Sequence, residues 1–378
     1  MAKRIALLAA IAALVVTSMA VASGGGKTLS WQLTPTGSTA RLRGLSAVDH
    51  KVAWASGSLG TVLRTVDRGK TWASVGPPGT STLQFRDIEA FGRNRAVILS
   101  IGNGGDSRVY WTEDAGAHWT LGFQNADPTA FYDCMAFFDR KHGLALSDPV
   151  NGKFRIISTS DGGRSWSVVN ADMPPALPGE FAFAASGQCL VTVDDQHGHS
   201  GRSRHEGHDK WGKWSHHGHG GKEGDEAWFA TGGGAQSRVF RTTDGGQTWK
   251  VSATPIPSGP SSGIFALAFR DDEHGFAVGG DFAAPVPNPN NLALTKDGGN
   301  TWKVAKTVPN EYRSGAHWID DRSALVVGPT GSDVSFDHGN TWRGFDEGSF
   351  DTVDCAGGHA CWAAGEQGRV AYLVAKKP

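Results

Sequence analysis

Arg43, Arg86 and Arg313 stand near the start of three short apolar segments, "RLRGLSAVD", "QFRDIEAF" and "YRSGAHW". Four segments of the same kind, "AFYDCMAF", "GEFAFAAS", "GIFALAF" and "FDTVDC", add Tyr132, Asp133, Glu180 and Asp351, while Tyr312 and His317 share the segment of Arg313. Guanidinium forks grip carboxylate and phosphate groups bidentately, so three arginines beside tyrosines and carboxylates would hold an anionic group or a peptide carboxylate. Asp148 in "SDPVNGKF" and Asp281 in "GGDFAAPVPNPNN" would join them. The same charges would also serve by pairing with one another to solvate a channel. Residue types alone leave those two readings open.

A second group with chemical potential is the stretch "DDQHGHSGRSRHEGHDKWGKWSHHGHGGKEGDE", Asp194 to Glu226. Its His197, His199, His205, His208, His216, His217 and His219 offer imidazole nitrogens to Zn²⁺, Ni²⁺ or Cu²⁺. Irregular spacing in a Gly-rich, charge-mixed segment that cannot bury a core favours weak transition-metal binding by a loop over a built centre. Apart from that, the expectation is no cofactor. A third group is the set of aspartates Asp67, Asp114, Asp161, Asp244, Asp297 and Asp337, each inside an octapeptide such as "TTDGGQTW" or "TVDRGKTW". A calcium loop needs oxygens at alternating positions, which one Asp followed by Gly does not supply. These aspartates read as mechanical parts.

The elements behind these residues repeat. Aligned, the octapeptides read Ser/Thr-x-Asp-x-Gly-x-x-Trp, six times over. Asp accepts backbone N–H bonds at a turn, Gly supplies positive φ, and the Trp starts the next strand with a ring that packs between neighbouring sheets. Before each turn lie runs rich in β-branched and aromatic residues, such as "SRVFRTTD", and before those Gly-bounded apolar runs such as "AWFATGG". Each unit therefore supplies about four short strands. The octapeptide Trp residues, at 72, 119, 166, 249, 302 and 342, recur at about 45-residue intervals except where the His-rich stretch of about residues 195–226 intrudes. That period predicts propeller blades. After Trp342 three more strands follow without an octapeptide, and "TLSWQLTP" near the N-terminus supplies a fourth, with Trp31 where an octapeptide Trp would fall. The expectation is an all-β, seven-bladed β-propeller over residues 28–376, its last blade closed by an N-terminal strand.

The octapeptide resembles the Asp-box, or bacterial neuraminidase (BNR) repeat. Nearly all of residues 28 to 375 resembles the WD40/YVTN-like propellers of the photosystem II stability/assembly factor type and their bacterial relatives. The resemblance implies structural boxes and an arginine-rich face, opposite them, that receives a membrane-protein partner. Carried onto this chain it points to Arg43, Arg86 and Arg313, and to a non-catalytic binding or assembly scaffold. The enzyme alternative is a sialidase-like or other carbohydrate-active glycosidase, which needs three arginines, a Tyr nucleophile paired with Glu, and an acid/base Asp. The Phe/Tyr-Arg-Ile-Pro stretch of that family has its nearest string in "FRII" from Phe154, without the Pro. Tyr110 and Tyr372 fall in outer strands, which leaves Tyr132 and Tyr312. Some bacterial relatives are labelled oxidoreductases, but the chain has no G-x-G-x-x-G after a strand and no C-x-x-C-H.

Composition agrees with a turn-rich β protein: 52 Gly and 14 Trp among 378 residues, with a formal net charge of −1 that gives no argument for nucleic acid. Met1-Ala-Lys-Arg, an apolar run from Ile5 to about Val21 and Ala20-x-Ala22 read as a signal peptide over residues 1–22, and an uncleaved anchor is the alternative. Either way the remainder is expected to be exported, periplasmic or secreted, as a monomer with a protein or peptide partner, or a carbohydrate. In that setting Cys355 and Cys361, flanking "AGGHA", are expected to bridge a hairpin. Cys134 and Cys189 lie in consecutive units and pair only if those strands come close, which the sequence leaves open.

Overall fold

The computed structural model describes residues 28–193, 225–357 and 360–376, so the signal-peptide expectation and all seven histidines of the His-rich stretch lie outside the described residues. Seven four-stranded antiparallel sheets follow one another along the chain. Their first strands, Leu42–Ala47, Gln84–Ala90, Tyr132–Phe137, Leu190–Thr192, Ser262–Phe269, Gly315–Trp318 and Thr352–Ala356, each touch the next, and the seventh touches the first. The molecule is thus a closed ring of seven blades around a central channel. Thr28–Thr34 pairs along its whole length with Val370–Lys376 as the outer strand of blade 7, so the first and last described strands are zipped into one sheet. Trp31 donates its indole N–H to Ser332 Oγ on blade 6 at 3.0 Å and packs on Phe345 and Phe350.

Apolar burial is divided among seven clusters, one at each seam between neighbouring blades. This division is what alternation predicts: a strand buried on both faces sends successive side chains to the seams on either side. Inner strands accordingly read as nearly continuous apolar runs, with Ala and Gly where blades crowd toward the axis.

The octapeptides close the third hairpin of blades 1, 2, 3, 4, 5 and 6. In "TTDGGQTW", Asp244 Oδ1 accepts from the Thr242 hydroxyl at 2.8 Å and from the Gln247 and Thr248 amides at 3.1 and 2.8 Å, while Oδ2 accepts from the Thr248 hydroxyl at 2.7 Å. The Gly246 amide closes the turn on Thr242 Oγ1 at 3.0 Å. Gly246 has φ +88°, and all five equivalent glycines likewise lie at positive φ, a conformation glycine takes without the steric cost of a Cβ. In "TEDAGAHW" the missing hydroxyl is replaced by His118, whose Nδ1 meets Asp114 Oδ2 at 2.6 Å. The hydrogen bonds hold Asp67, Asp114, Asp161, Asp244, Asp297 and Asp337 below the usual carboxylate range, Asp114 at about 2. Each carboxylate is spent on its own turn.

Two disulfides, Cys134–Cys189 and Cys355–Cys361, take up all four cysteines. The second joins directly opposed residues of one hairpin, as expected. The first answers the open question of the sequence, because the inner edges of blades 3 and 4 bring the two Cα atoms to 6.2 Å. Among the described residues no helix is long and apolar enough to cross a membrane.

Blade 4 departs from expectation. "GEFAFAAS" reads as the approach to an innermost strand, yet that strand is only Leu190–Thr192. The small residues before it, Ala184 to Gly187, let the backbone turn across the channel instead. The Gln188 side chain bonds three backbone groups on the far side: its amide donates to Ala316 O at 2.8 Å and Val353 O at 2.7 Å, and its carbonyl accepts from Ala316 N at 2.8 Å. Ser186 Oγ donates to Ser314 O at 2.8 Å. A Cβ at Gly187 would sit 2.1 Å from Asp87 Oδ1, so only glycine fits where this plug passes blade 2. The channel is therefore blind.

Candidate functional site

In every blade the first strand begins on the face opposite the octapeptide turns, and the second hairpin loop returns to that same face. Four first strands carry a register shift at the same place, one residue long, at Arg43, Arg86, Asp133 and Phe265. A bulge of this kind re-aims the unpaired residue's side chain. Here it re-aims side chains on blades 1, 2, 3 and 5 above the plug, and the corresponding approach segments of blades 4, 6 and 7 add Phe183, Tyr312 and Asp351.

The residues close into a ring by pairwise proximity. Arg43 and Arg86 lie in each other's field, and Arg86 also feels Asp133 and Asp351. Asp133 feels Asp148, whose Oδ1 accepts from the Ala182 amide at 2.9 Å, next to Phe183. Phe183 stacks on Phe265 with centroids 4.8 Å apart, Phe265 meets Tyr312 edge-on at 4.8 Å, and Tyr312 feels Asp351 and Arg43. The result is a cup with a cationic wall on blades 1 and 2, carboxyls on blade 3 and an aromatic wall on blades 4 to 6, floored by the plug.

Each group is tuned by burial. Arg43 and Arg86 make no hydrogen bond or ion pair among the described residues, and Arg43 Nε is an orphaned buried donor. Desolvation, then the neighbouring Arg43, pushes the Arg86 guanidinium down to about 9, and desolvation also lowers Arg43. Burial raises Asp133 well above the carboxylate range, with Asp148 adding to it, and leaves Asp133 Oδ2 unpartnered. Asp148 is pushed up to about 6 by the same cause. Burial lifts the Tyr312 phenol above its ordinary value. A buried, unpaired guanidinium is costly unless something outside the protein compensates it.

Of the sequence-derived set, Arg43, Arg86, Asp133, Asp148, Tyr312 and Asp351 reach the cup. Five do not serve it. Arg313 is buried in a pair with Asp333 at 2.7 Å and bonds Glu311 Oε2 at 3.1 Å and Thr330 Oγ1 at 2.9 Å. Glu180 is buried too, bidentate to Arg238, and accepts from Thr231 Oγ1 at 2.6 Å and Leu177 N at 2.7 Å. Asp281 caps its own loop by accepting from Ala283 N at 2.9 Å. Tyr132 turns away from the axis into the seam with blade 2, edge-on to Phe123, its hydroxyl unpartnered and its phenol pushed up to about 12 by burial. His317 lies past the plug on the octapeptide side, Nδ1 at 2.7 Å from Trp318 O and Nε2 at 3.1 Å from Asp354 Oδ1.

Sequence reading missed three participants. Arg41, two residues from Arg43, forks onto Asp351 at 2.8 and 2.6 Å and so removes that carboxylate from play. In the aromatic wall of Phe183, Phe265 and the exposed Phe282, only Phe265 occupies the bulge position where arginine stands in blades 1 and 2, and lining up the seven segments there would have found it. The plug had only its small residues as a signal.

A Tyr nucleophile with a Glu partner under three arginines is not what these side chains build. Tyr132 is sunk in an apolar seam, Glu180 is saturated by Arg238, and Tyr312 faces Asp351 and the arginines of blade 1. Nor do the described residues hold a group of three or more His, Cys, Asp or Glu arranged for a metal ion.

Comparison with known proteins places this geometry among propellers. No protein-family model matches the chain. Searching curated proteins by sequence likewise finds no match. Among solved structures it is similar to YCF48 bound to D1 peptide, at TM-score 0.60 and 14% identity over 94% of this chain and 100% of that one. It is similar to YCF48 from Cyanidioschyzon merolae, at 0.59 and 15% over 90% and 98%. It is also similar to the WD40 beta propeller domain of Doa1, at 0.57 and 11% over 92% and 98%. At such identities the likeness is one of fold, and what it establishes is that the chain is a seven-bladed propeller of the kind YCF48 adopts.

Proposed function

We propose that the chain is an exported, non-catalytic binding scaffold of the photosystem II stability/assembly factor-like type, working without a cofactor. Its partner is a protein, and it presents an anionic peptide segment to the face opposite the Asp-box turns. The observation that bears the reading is the pair Arg43 and Arg86: half-buried, partnerless guanidiniums at the mouth of a closed channel, for which an incoming carboxylate supplies the missing hydrogen bonds. YCF48 has been solved with a D1 peptide bound, which makes peptide recognition a use of this fold. Export is supported by two disulfides that need an oxidising compartment.

The test is a peptide array probed with the full chain and with the Arg43→Gln/Arg86→Gln double variant. Wild-type protein is expected to retain acidic peptides, with the variant at least tenfold weaker on the same spots and equally stable. Equal retention by both proteins overturns the reading.

Proton linkage gives a second readout. Asp148 and Asp133 have raised values, so they carry protons at low pH and become anions, Asp133 in the field of Arg86 and Asp148 beside Asp133, as pH rises through about 6 and above. An anionic ligand then meets less net positive charge. The remaining charges facing Arg86 are Arg43, Arg41 and Asp351. Affinity for a tetra-aspartate peptide should fall roughly three- to tenfold from pH 5 to pH 8, an electrostatic penalty of about 1 kcal/mol. Asp133→Asn/Asp148→Asn should flatten the profile, as fluorescence anisotropy would show. A profile equally steep in that variant would exclude the carboxyl pair as its cause.

A further inference from the structure

Resting on the reading of this face as the binding face, we infer that the cup recognises a free peptide C-terminus whose last residue carries a bulky apolar side chain. The terminal carboxylate lies between Arg43 and Arg86, and the side chain lies on the Phe183–Phe265–Phe282 wall.

Three features of the cup lead there. The first is the floor. Gln188 and Ser186 bridge the channel to blades 6 and 7, so an occupant of the channel mouth cannot thread through and must approach end-first. The second is the sign and size of the charge. Two free guanidiniums attract an anion, whereas Asp133 in the field of Arg86, with Asp148 beside Asp133, disfavours a multiply charged one once these carboxyls ionise, so a single carboxylate fits better than a phosphate. An end-first chain that brings one carboxylate is a C-terminus.

The third feature is the wall facing the arginines. Phe282 is 53% exposed and Phe181 46%, at the rim of a propeller whose other large apolar side chains are mostly packed in seams. Phe282 stands edge-on to both Phe183 and Phe265, at 6.3 and 6.1 Å, which leaves ring faces and edges open to a further apolar group. Asp281 and Asn288 hold the Phe282 loop by bonds to Ala283 N, Asp281 N and Ala284 O, so this wall is pre-formed. Tyr312 joins the two walls, since its ring touches Phe265 and its phenol lies in the field of Arg43.

Fluorescein-labelled hexapeptides Ser-Gly-Ser-Gly-Ser-Phe with a free or an amidated end, the same peptide ending in Gly, and an amidated peptide with an internal Asp, titrated against the full chain, separate the possibilities. The free Phe end should bind tightest, amidation should cost tenfold or more, and Gly should cost about fivefold. Phe282→Ser should bring the Phe and Gly peptides within twofold of each other without shifting the thermal midpoint. Arg43→Gln/Arg86→Gln should abolish the free-acid preference. If the amidated Asp peptide binds as well as the free Phe end, and both need the arginines, the C-terminal inference is wrong while the anionic-peptide reading stands. If none of the four binds, or binding ignores the arginines, both are wrong.

Discussion

Arg238→Met should lower the unfolding free energy by about 3–5 kcal/mol, the usual cost of removing one partner from a buried ion pair. Glu180 is the reason. Its side chain is wholly buried, and its two oxygens accept from Arg238 Nε at 2.8 Å and from Arg238 Nη2, Thr231 Oγ1 and Leu177 N. Arg238 in turn donates to Pro175 O at 3.0 Å and lies over the Phe240 ring. Without the guanidinium the carboxylate keeps two neutral donors and no counter-charge in an interior that water does not reach. Denaturant unfolding would measure the loss. The companion variant Arg238→Met/Glu180→Leu, which removes both charges, should recover most of it. If the double variant is as unstable as the single, the damage is lost packing around Phe240 rather than an isolated charge.

That pair also marks the limit of what sequence could say. The octapeptides are legible because the bonds their aspartates make all fall within the turn itself: Asp and Gly are chosen by the geometry of one turn, and six copies give the blade period. Closure by "TLSWQLTP" follows by counting strands. Which charged residues remain free is a different kind of fact. Glu180 is committed to a residue 58 positions later, across the His-rich stretch, and Arg313 to Asp333 twenty positions on. Both lie at blade entrances, as Arg43 and Arg86 do, and nothing in their local strings sets them apart. The decision rests on whether the second or third strand of the same blade offers a carboxylate. Blade 6 does so at Asp333, whereas blades 1 and 2 place Ser56 and Ser100 near the ends of their second strands, beside the bulges, and no acid faces either arginine from its own sheet.

The plug was hidden for a related reason, since its partners are backbone groups of blades 6 and 7 that any sequence would present. Its one covalent tie gives the second large effect. Cys134→Ala/Cys189→Ala should cost about 4 kcal/mol by the loop-closure entropy of a 55-residue separation. The six-residue loop of Cys355 and Cys361 predicts about 2 kcal/mol, and less in practice because sheet pairing already holds Cys355 opposite Cys361. The ranking is the test: thermal midpoints should fall further for the first double variant than for the second. The first should also lose a local feature. Gln188 reaches Ala316 and Val353 only while Cys189 anchors the segment to blade 3, so amide exchange at Ala316 should accelerate in the Cys134→Ala/Cys189→Ala protein and stay slow in the Cys355→Ala/Cys361→Ala protein. Equal exchange at Ala316 in both would mean that Gln188 and Ser186 hold the plug without the disulfide, and the floor of the cup would then be a property of its hydrogen bonds alone.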